Sequence, residues 1–358
     1  MLKARNAVRN LRAYHPPLAG RQGLRLDFNE STIGCSPRVL EKLRTLDAEA
    51  LARYPEREPV EREVAKYFGL DAAQILLTNG VDEAIHLLCS TYLEPDDEAI
   101  IVVPTFAMYA IFAGAEAAKV IEVRAGDNFE FPTNSLLDRI SPHTRLIAVA
   151  NPNNPTGAAI ACEVLLRVAE AAPQAALLVD EAYFEFHGET LLAQVQKIPN
   201  LFVARTFSKA YGLAGLRIGL LAGNAEQMTM VRRVASPYNV NAAALAVLPE
   251  ALRDRGYVDS YAAEVRRNRE ILQAEINDLG LHFWPSHANF VLVRVSANHA
   301  KFVQAFRRRG ILVRDRNSDP GCEGCVRLTV GSDEHTHILI SALREVAAEL
   351  GLSSEVRA

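Results

Sequence analysis

The chain has 358 residues, 49% of them hydrophobic and 23% charged, with a net charge of −4. That balance suits a globular protein of about two domains and excludes a disordered or fibrous chain. No dense Lys/Arg block points to nucleic acid or an anionic membrane, no apolar run approaches the roughly 18 residues of a membrane span, and MLKARNAVRN lacks a signal-peptide core, which predicts a cytoplasmic protein. In chain order, Ser36-Pro37 caps a first helix and Pro59 opens a second. Short apolar runs follow: ILLT (75–78), AIIVV (99–103), KVIEV (119–123), RLIAVA (145–150), AALLVD (175–180), LFVA (201–204) and RIGLLA (217–222). They read as buried strands, and helical patterns such as DEAIHLLCSTYL lie between most of them. This alternation predicts an α/β fold whose mostly parallel central sheet is sandwiched by helices.

After residue 223 long helices take over, the longest being SYAAEVRRNREILQAEINDLG with Gly280 as its stop. NFVLVRV, a helix, ILVR, CVRLTV and a terminal helix complete the chain and predict a smaller α+β domain. The expected division is an N-terminal arm over 1–30 joining the small domain, a large domain over 31–244 and a small domain over 245–358. The basic run Arg307 to Arg309 reads as a solvated helix face. Five scattered cysteines, at 35, 89, 162, 322 and 325, argue against a disulfide framework. Cys322 and Cys325 form CEGC, but a second ligand pair is not evident, so no metal site is expected.

Ligands of open α/β sheets bind beyond the carboxyl ends of the strands. After ILLT, Asn79 to Glu83 open a helix whose free amides could hold a phosphate, although Asp82 could equally satisfy its own first turn. After RLIAVA comes NPNNPTG, 151–157, where prolines on both sides restrict the amides of Asn153 and Asn154. AALLVD ends in Asp180, whose burial would call for a cationic partner. Lys209 follows LFVA and RTFS in apolar surroundings, which can lower its pKa and free the amine to attack a carbonyl; a solvent-facing lysine is the ordinary alternative.

NPNNPTG, DEAYFEF and RTFSKAYGLAGLRIG, in this order, resemble the fold-type-I pyridoxal-phosphate aminotransferases of class I/II, and within them the histidinol-phosphate aminotransferases. LDFNES, RYPE, TNGVDEAI, PTFAMY, SPYNVN and VRLTVG extend the likeness over nearly the whole chain. The resemblance implies pyridoxal 5'-phosphate, linked covalently to Lys209, whose freed amine then moves the substrate proton. It implies Asp180 on the pyridine nitrogen, Tyr183 and Asn154 on the phenolate oxygen, and Phe106 stacked on the ring, where the family often has tyrosine. The cofactor phosphate would take the Val81 and Asp82 amides, Thr206, Ser208 and Arg217. Tyr54 would reach the phosphate held by a second subunit, which implies a homodimer.

By the same resemblance Arg327 grips a substrate carboxylate, while Arg314 and Tyr14 hold a substrate phosphate. The implied reaction takes histidinol phosphate and 2-oxoglutarate to imidazole acetol phosphate and glutamate, a step of histidine biosynthesis. Two departures, YHPPLAG in the arm and NES in place of the commoner NEN, lie near the substrate end. An aromatic amino acid aminotransferase, or a lyase like threonine-phosphate decarboxylase, therefore stays open. A non-catalytic pyridoxal-phosphate protein is disfavoured because Lys209, Asp180 and Arg217 are all present.

Overall fold

The computed structural model describes residues 2–15 and 20–352. Pro16 to Ala19 of the divergent YHPPLAG segment lie outside the described residues. Strand β1 (Leu24–Arg25) precedes β2 (Ile75–Thr78), β3 (Glu98–Val103), β4 (Lys119–Arg124), β5 (Thr144–Ala150), β6 (Ala176–Asp180), β7 (Leu201–Thr206) and β8 (Gly219–Gly223). The last seven form one sheet in the order β2-β8-β7-β6-β5-β3-β4. The pairs from β7 to β4 are parallel, while β8 runs antiparallel to both β7 and β2.

The continuous apolar runs have a simple cause. Ile147, Val149, Leu177 and Val179 point into one core, and Leu146, Ala148, Ala150 and Leu178 into another on the opposite face. Alternate side chains of one strand thus meet two helical layers, and no polar face survives. The expectation that every run is buried fails at β4. It is the sheet edge, where Lys119, Glu122 and Arg124 belong to a strand largely open to solvent. Such charges also keep an edge from pairing with another chain.

The C-terminal part holds β9 (His282–Trp284), β10 (Phe290–Arg294), β11 (Ile311–Leu312), β12 (Arg314–Asp315) and β13 (Cys325–Thr329). β12-β13-β10-β9 form an antiparallel sheet, and β1 pairs with β11, which ties the N-terminal segment to this end of the chain. Strand β9 carries no clear alternation in the sequence and has no counterpart among the expected strands. The long helix runs Arg255–Asp278, with Gly280 in the left-handed region at φ 71°. The helix Ala242–Arg253 spans the expected boundary at 244/245. Arg307 and Arg308 are exposed, as a solvated face requires, and Arg308 and Arg309 pair with Glu349 and Glu345 of the terminal helix.

Candidate active site

The carboxyl ends of β5, β6 and β7, with the helix after β2, enclose a cavity of about 250 Å³. It is lined by Val81, Asp82, Phe106, Asn154, Asp180, Tyr183, Thr206, Ser208, Lys209 and Arg217. All ten residues expected at the cofactor within one chain therefore meet in one place. A second cavity of about 550 Å³ shares Phe28, Phe106, Asn154, Tyr183 and Lys209 with the first and adds Tyr14, Arg314, Arg316, Asp319 and Arg327.

At one end the helix Gly80–Tyr92 begins, and its first-turn amides at Val81 and Asp82 have no acceptor within the helix. Gly80, at φ 75°, lies against the Arg217 guanidinium, which a Cβ would meet at 2.6 Å. Gly219 allows a second close approach, since a Cβ there would stand 2.8 Å from the Gly80 carbonyl carbon. Arg217 is not in the strand as expected. It occupies the left-handed turn before β8, φ 52° and ψ 59°, a conformation uncommon for a side-chain-bearing residue. Asp82 does not cap its own helix turn; its Oδ2 accepts from Arg217 Nη2 at 3.0 Å. Thr206 Oγ1 accepts from the Ser208 amide, and both residues line the cavity.

At the other end sits Asp180, buried on the last residue of β6. Its expected cationic partner is not found among the described residues. Oδ1 accepts from the Ala182 amide at 3.0 Å and Oδ2 from the Tyr109 hydroxyl at 2.6 Å. The arginine of this strand layer, Arg205, goes instead to Glu181 at 2.8 Å and stacks over Phe184. Burial raises Asp180 to about 6 against those two donors. A carboxylate left in that state can receive a cationic ring nitrogen.

Lys209 Nζ donates to the Phe28 carbonyl at 2.9 Å, where the two cavities meet. Burial, then the nearby Arg327 charge, lowers its pKa to about 8. The NPNNPTG loop is stapled by Asn151, bonded both ways to Ile160, and by Asn153, bonded to Pro104 and Thr105. That leaves Asn154 to face the cavity, where its Oδ1 accepts from Arg327 Nη1. Tyr183 accepts from Asn29 Nδ2 at 2.9 Å.

Arg314 and Arg327 are directly opposite on β12 and β13. Arg327 is buried, its Nη2 donates to the Asp27 carbonyl at 2.7 Å, and desolvation lowers its pKa to about 10. Arg314 Nη2 donates to Tyr14 at 3.3 Å. Arg314 Nη1 and Arg327 Nε are buried without a hydrogen-bond partner among the described residues. Tyr54 lies apart from both cavities. It is 77% exposed and stacks on Tyr238 with ring centroids 4.3 Å apart.

An anion cradle, a buried acid and a lysine between them fit a pyridine ring that carries a phosphate and an aldehyde. The sequence model of the family "Aminotransferase class I and II" matches residues 21–343. The chain belongs to that family. It is an aminotransferase, moving an amino group between an amino compound and an oxo acid. A histidinol-phosphate aminotransferase of Caldanaerobacter subterraneus subsp. tengcongensis is 37% identical over 297 residues, covering 82% of this chain and 83% of the relative. Histidinol-phosphate aminotransferase 1 of Trichormus variabilis is 33% identical over 348 residues, covering 96% and 98%. The crystal structure of histidinol-phosphate aminotransferase from Sinorhizobium meliloti in complex with pyridoxal-5'-phosphate superposes with a TM-score of 0.87 at 24% identity, covering 98% and 99%; it shares the fold.

Three residues that line these cavities escape a reading of the sequence: Tyr109, Arg316 and Asn29. Tyr109 belongs to PTFAMY, but only packing shows its hydroxyl on Asp180. Arg316 lines the second cavity two residues beyond Arg314 and pairs with Asp319. Its place in the run RDR, two residues after Arg314, was the available signal for it. Cys322 and Cys325 are buried free thiols, and no group of three metal-ligating side chains occurs among the described residues.

Proposed function

We propose that this aminotransferase binds pyridoxal 5'-phosphate through Lys209 and takes histidinol phosphate as amino donor and 2-oxoglutarate as acceptor. The observation that carries the substrate is the cross-strand pair Arg314 and Arg327. Like charges directly opposite on a sheet are destabilising, and here both guanidiniums line the cavity that Lys209 also lines and keep a buried nitrogen without a partner among the described residues. A dianion on the substrate offsets both costs. Curated relatives named for histidinol phosphate support the same choice.

When bound, the cofactor supplies an aldehyde for amines and a cationic ring that accepts the electron pair released at the substrate carbon. Lys209 would hold the aldehyde, and its free amine would carry the proton from the substrate carbon. Asp180 faces the ring nitrogen and favours its protonated form. Asn154 and Tyr183 donate to the phenolate oxygen, and Phe106 covers one ring face. The Val81 and Asp82 amides, Thr206, Ser208 and Arg217 hold the phosphate; fork-shaped donors suit its oxygens. Arg314 and Tyr14 take the substrate phosphate with Arg327, and the two arginines divide the carboxylates of glutamate in the other half-reaction.

The working form we infer is a cytoplasmic homodimer in which Tyr54 serves the site of the second subunit. Exposed Tyr54, Tyr238 and Leu51 on one chain support a covered surface. We further infer that 31–244 acts as the cofactor domain and 245–358 with arm 1–30 as the substrate domain, bridged by the helix Ala242–Arg253. No described helix is long and apolar enough to cross a membrane.

A single-turnover panel tests the substrate: histidinol phosphate, glutamate, phenylalanine and threonine phosphate are mixed with holoenzyme while the bound cofactor's absorbance is followed. Histidinol phosphate and glutamate should both convert it. Efficient phenylalanine turnover with no response to histidinol phosphate refutes the choice in favour of an aromatic aminotransferase. Carbon dioxide release from threonine phosphate would identify the lyase.

A further inference from the structure

We propose that Tyr109 is a positioning residue, whose hydrogen bond to Oδ2 holds the Asp180 carboxylate oriented toward the ring nitrogen of the bound cofactor. The inference rests on the reading of Asp180 given above. Tyr109 lies in the helix Met108–Ala115, is fully buried, and reaches Asp180 from a different element than the Ala182 amide does. With one donor on each oxygen, the carboxylate plane cannot rotate without breaking a bond. Each oxygen keeps a further lone pair, and Asp180 lines the cofactor cavity.

The surroundings explain why such a clamp is needed. Asp82 and Glu181 are negative neighbours of Asp180, and both, like burial, favour its neutral form. Tyr183, Lys209 and Arg217 line the same cavity. Arg205, the nearby buried cation, is committed to Glu181. The Tyr109 and Ala182 donors oppose the neutral form. Tyr109 itself stays protonated, since burial and then the Asp180 charge hold its pKa well above the ordinary tyrosine value. It is therefore a donor at every pH at which the enzyme would work.

A packing role is the alternative, because the Tyr109 ring sits in the core and meets Phe106 edge-on at 5.9 Å. Tyr109→Phe keeps the ring and removes only the oxygen, so it separates the two. The test uses full-length wild type, Tyr109→Phe, Asp180→Asn and the double variant. For each, pyridoxal-phosphate affinity and the bound cofactor's absorbance are measured across pH, alongside a thermal melt to establish folding.

Tyr109→Phe should weaken cofactor binding about tenfold near neutral pH, the scale of one hydrogen bond to a charged group. The acid limb of its affinity profile should move to higher pH, because losing the donor raises Asp180. In the Asp180→Asn background the same change should cost less than about twofold, as a residue acting through Asp180 requires. Wild-type affinity and profile in Tyr109→Phe overturn the proposal. So does an equal loss in both backgrounds, which assigns Tyr109 to packing alone. If Asp180→Asn by itself leaves affinity and spectrum unchanged, the role of Asp180 is what fails.

Discussion

Lys209 offers much more nucleophilic amine at neutral pH than an exposed lysine would. Its pKa falls from 10.5 to about 8, first through burial and then through Arg327. At pH 7 the neutral fraction becomes roughly 10% instead of roughly 0.03%, a gain of roughly 300-fold. The assay mixes cofactor-free protein with pyridoxal phosphate from about pH 6 to about pH 10 and follows covalent capture by absorbance. The rate should rise about tenfold per pH unit and level off above about pH 8. A midpoint near 10.5, or a rate indifferent to pH, would refute the argument that burial activates this amine. The same shift predicts stability. The folded value lies below the unfolded one, so the charged amine is disfavoured in the fold below about pH 8, and the penalty is relieved as pH rises toward 10.5. The interval corresponds to at most about 3 kcal/mol, reduced by partial solvent contact and by the bond to Phe28. Cofactor-free Lys209→Met should thus be the more stable chain at pH 7 in urea melts, with the difference shrinking toward pH 10.

Three further outcomes are expected. Arg314→Ala should weaken histidinol-phosphate binding by about 1.5 to 3 kcal/mol, and the histidinol phosphate to phenylalanine ratio of kcat/KM should fall; an unchanged ratio would remove Arg314 from the phosphate site. Mixing Tyr54→Ala chains with Lys209→Ala chains should restore part of the activity that each lacks alone, because one site of a hybrid dimer carries neither change. Failure to complement, once each single loss and subunit exchange are shown, would count against a shared site. Glu181→Gln should destabilise the fold by about 3 to 5 kcal/mol in chemical melts, since it leaves Arg205 buried without its counter-charge; a loss under about 1 kcal/mol would contradict that.

The strands of the large sheet were legible in the sequence as short apolar runs, six of them largely buried along their length and the edge strand β4 readable in spite of its exposed charges. The turns after them were legible because Asn, Pro and Gly in NPNNPTG, or Ser and Lys after LFVART, restrict what the backbone can do. The order of motifs along the chain was enough to expect an aminotransferase, and ten residues expected around its cofactor line one cavity. All of this depends on local patterns, which a linear reading contains.

Partnership was decided only in three dimensions. Asp180 and its neighbour Glu181 are two acids at a strand end, and nothing local says that one meets Tyr109 and the other Arg205. Asp82 faces Arg217 across 135 positions, and Tyr14 meets Arg314 across 300. The reversal of β8 and the edge position of β4 likewise follow from which strands lie adjacent. Periodicity reports which side of a segment is apolar, not which segment covers it. Arg327 shows the difference most plainly. Alone it could be an exposed strand residue, yet it lies buried because β13 is the neighbour of both β12 and β10, and its side chain reaches the cavity that Lys209 lines, where the Asp27 carbonyl and Asn154 Oδ1 accept from it.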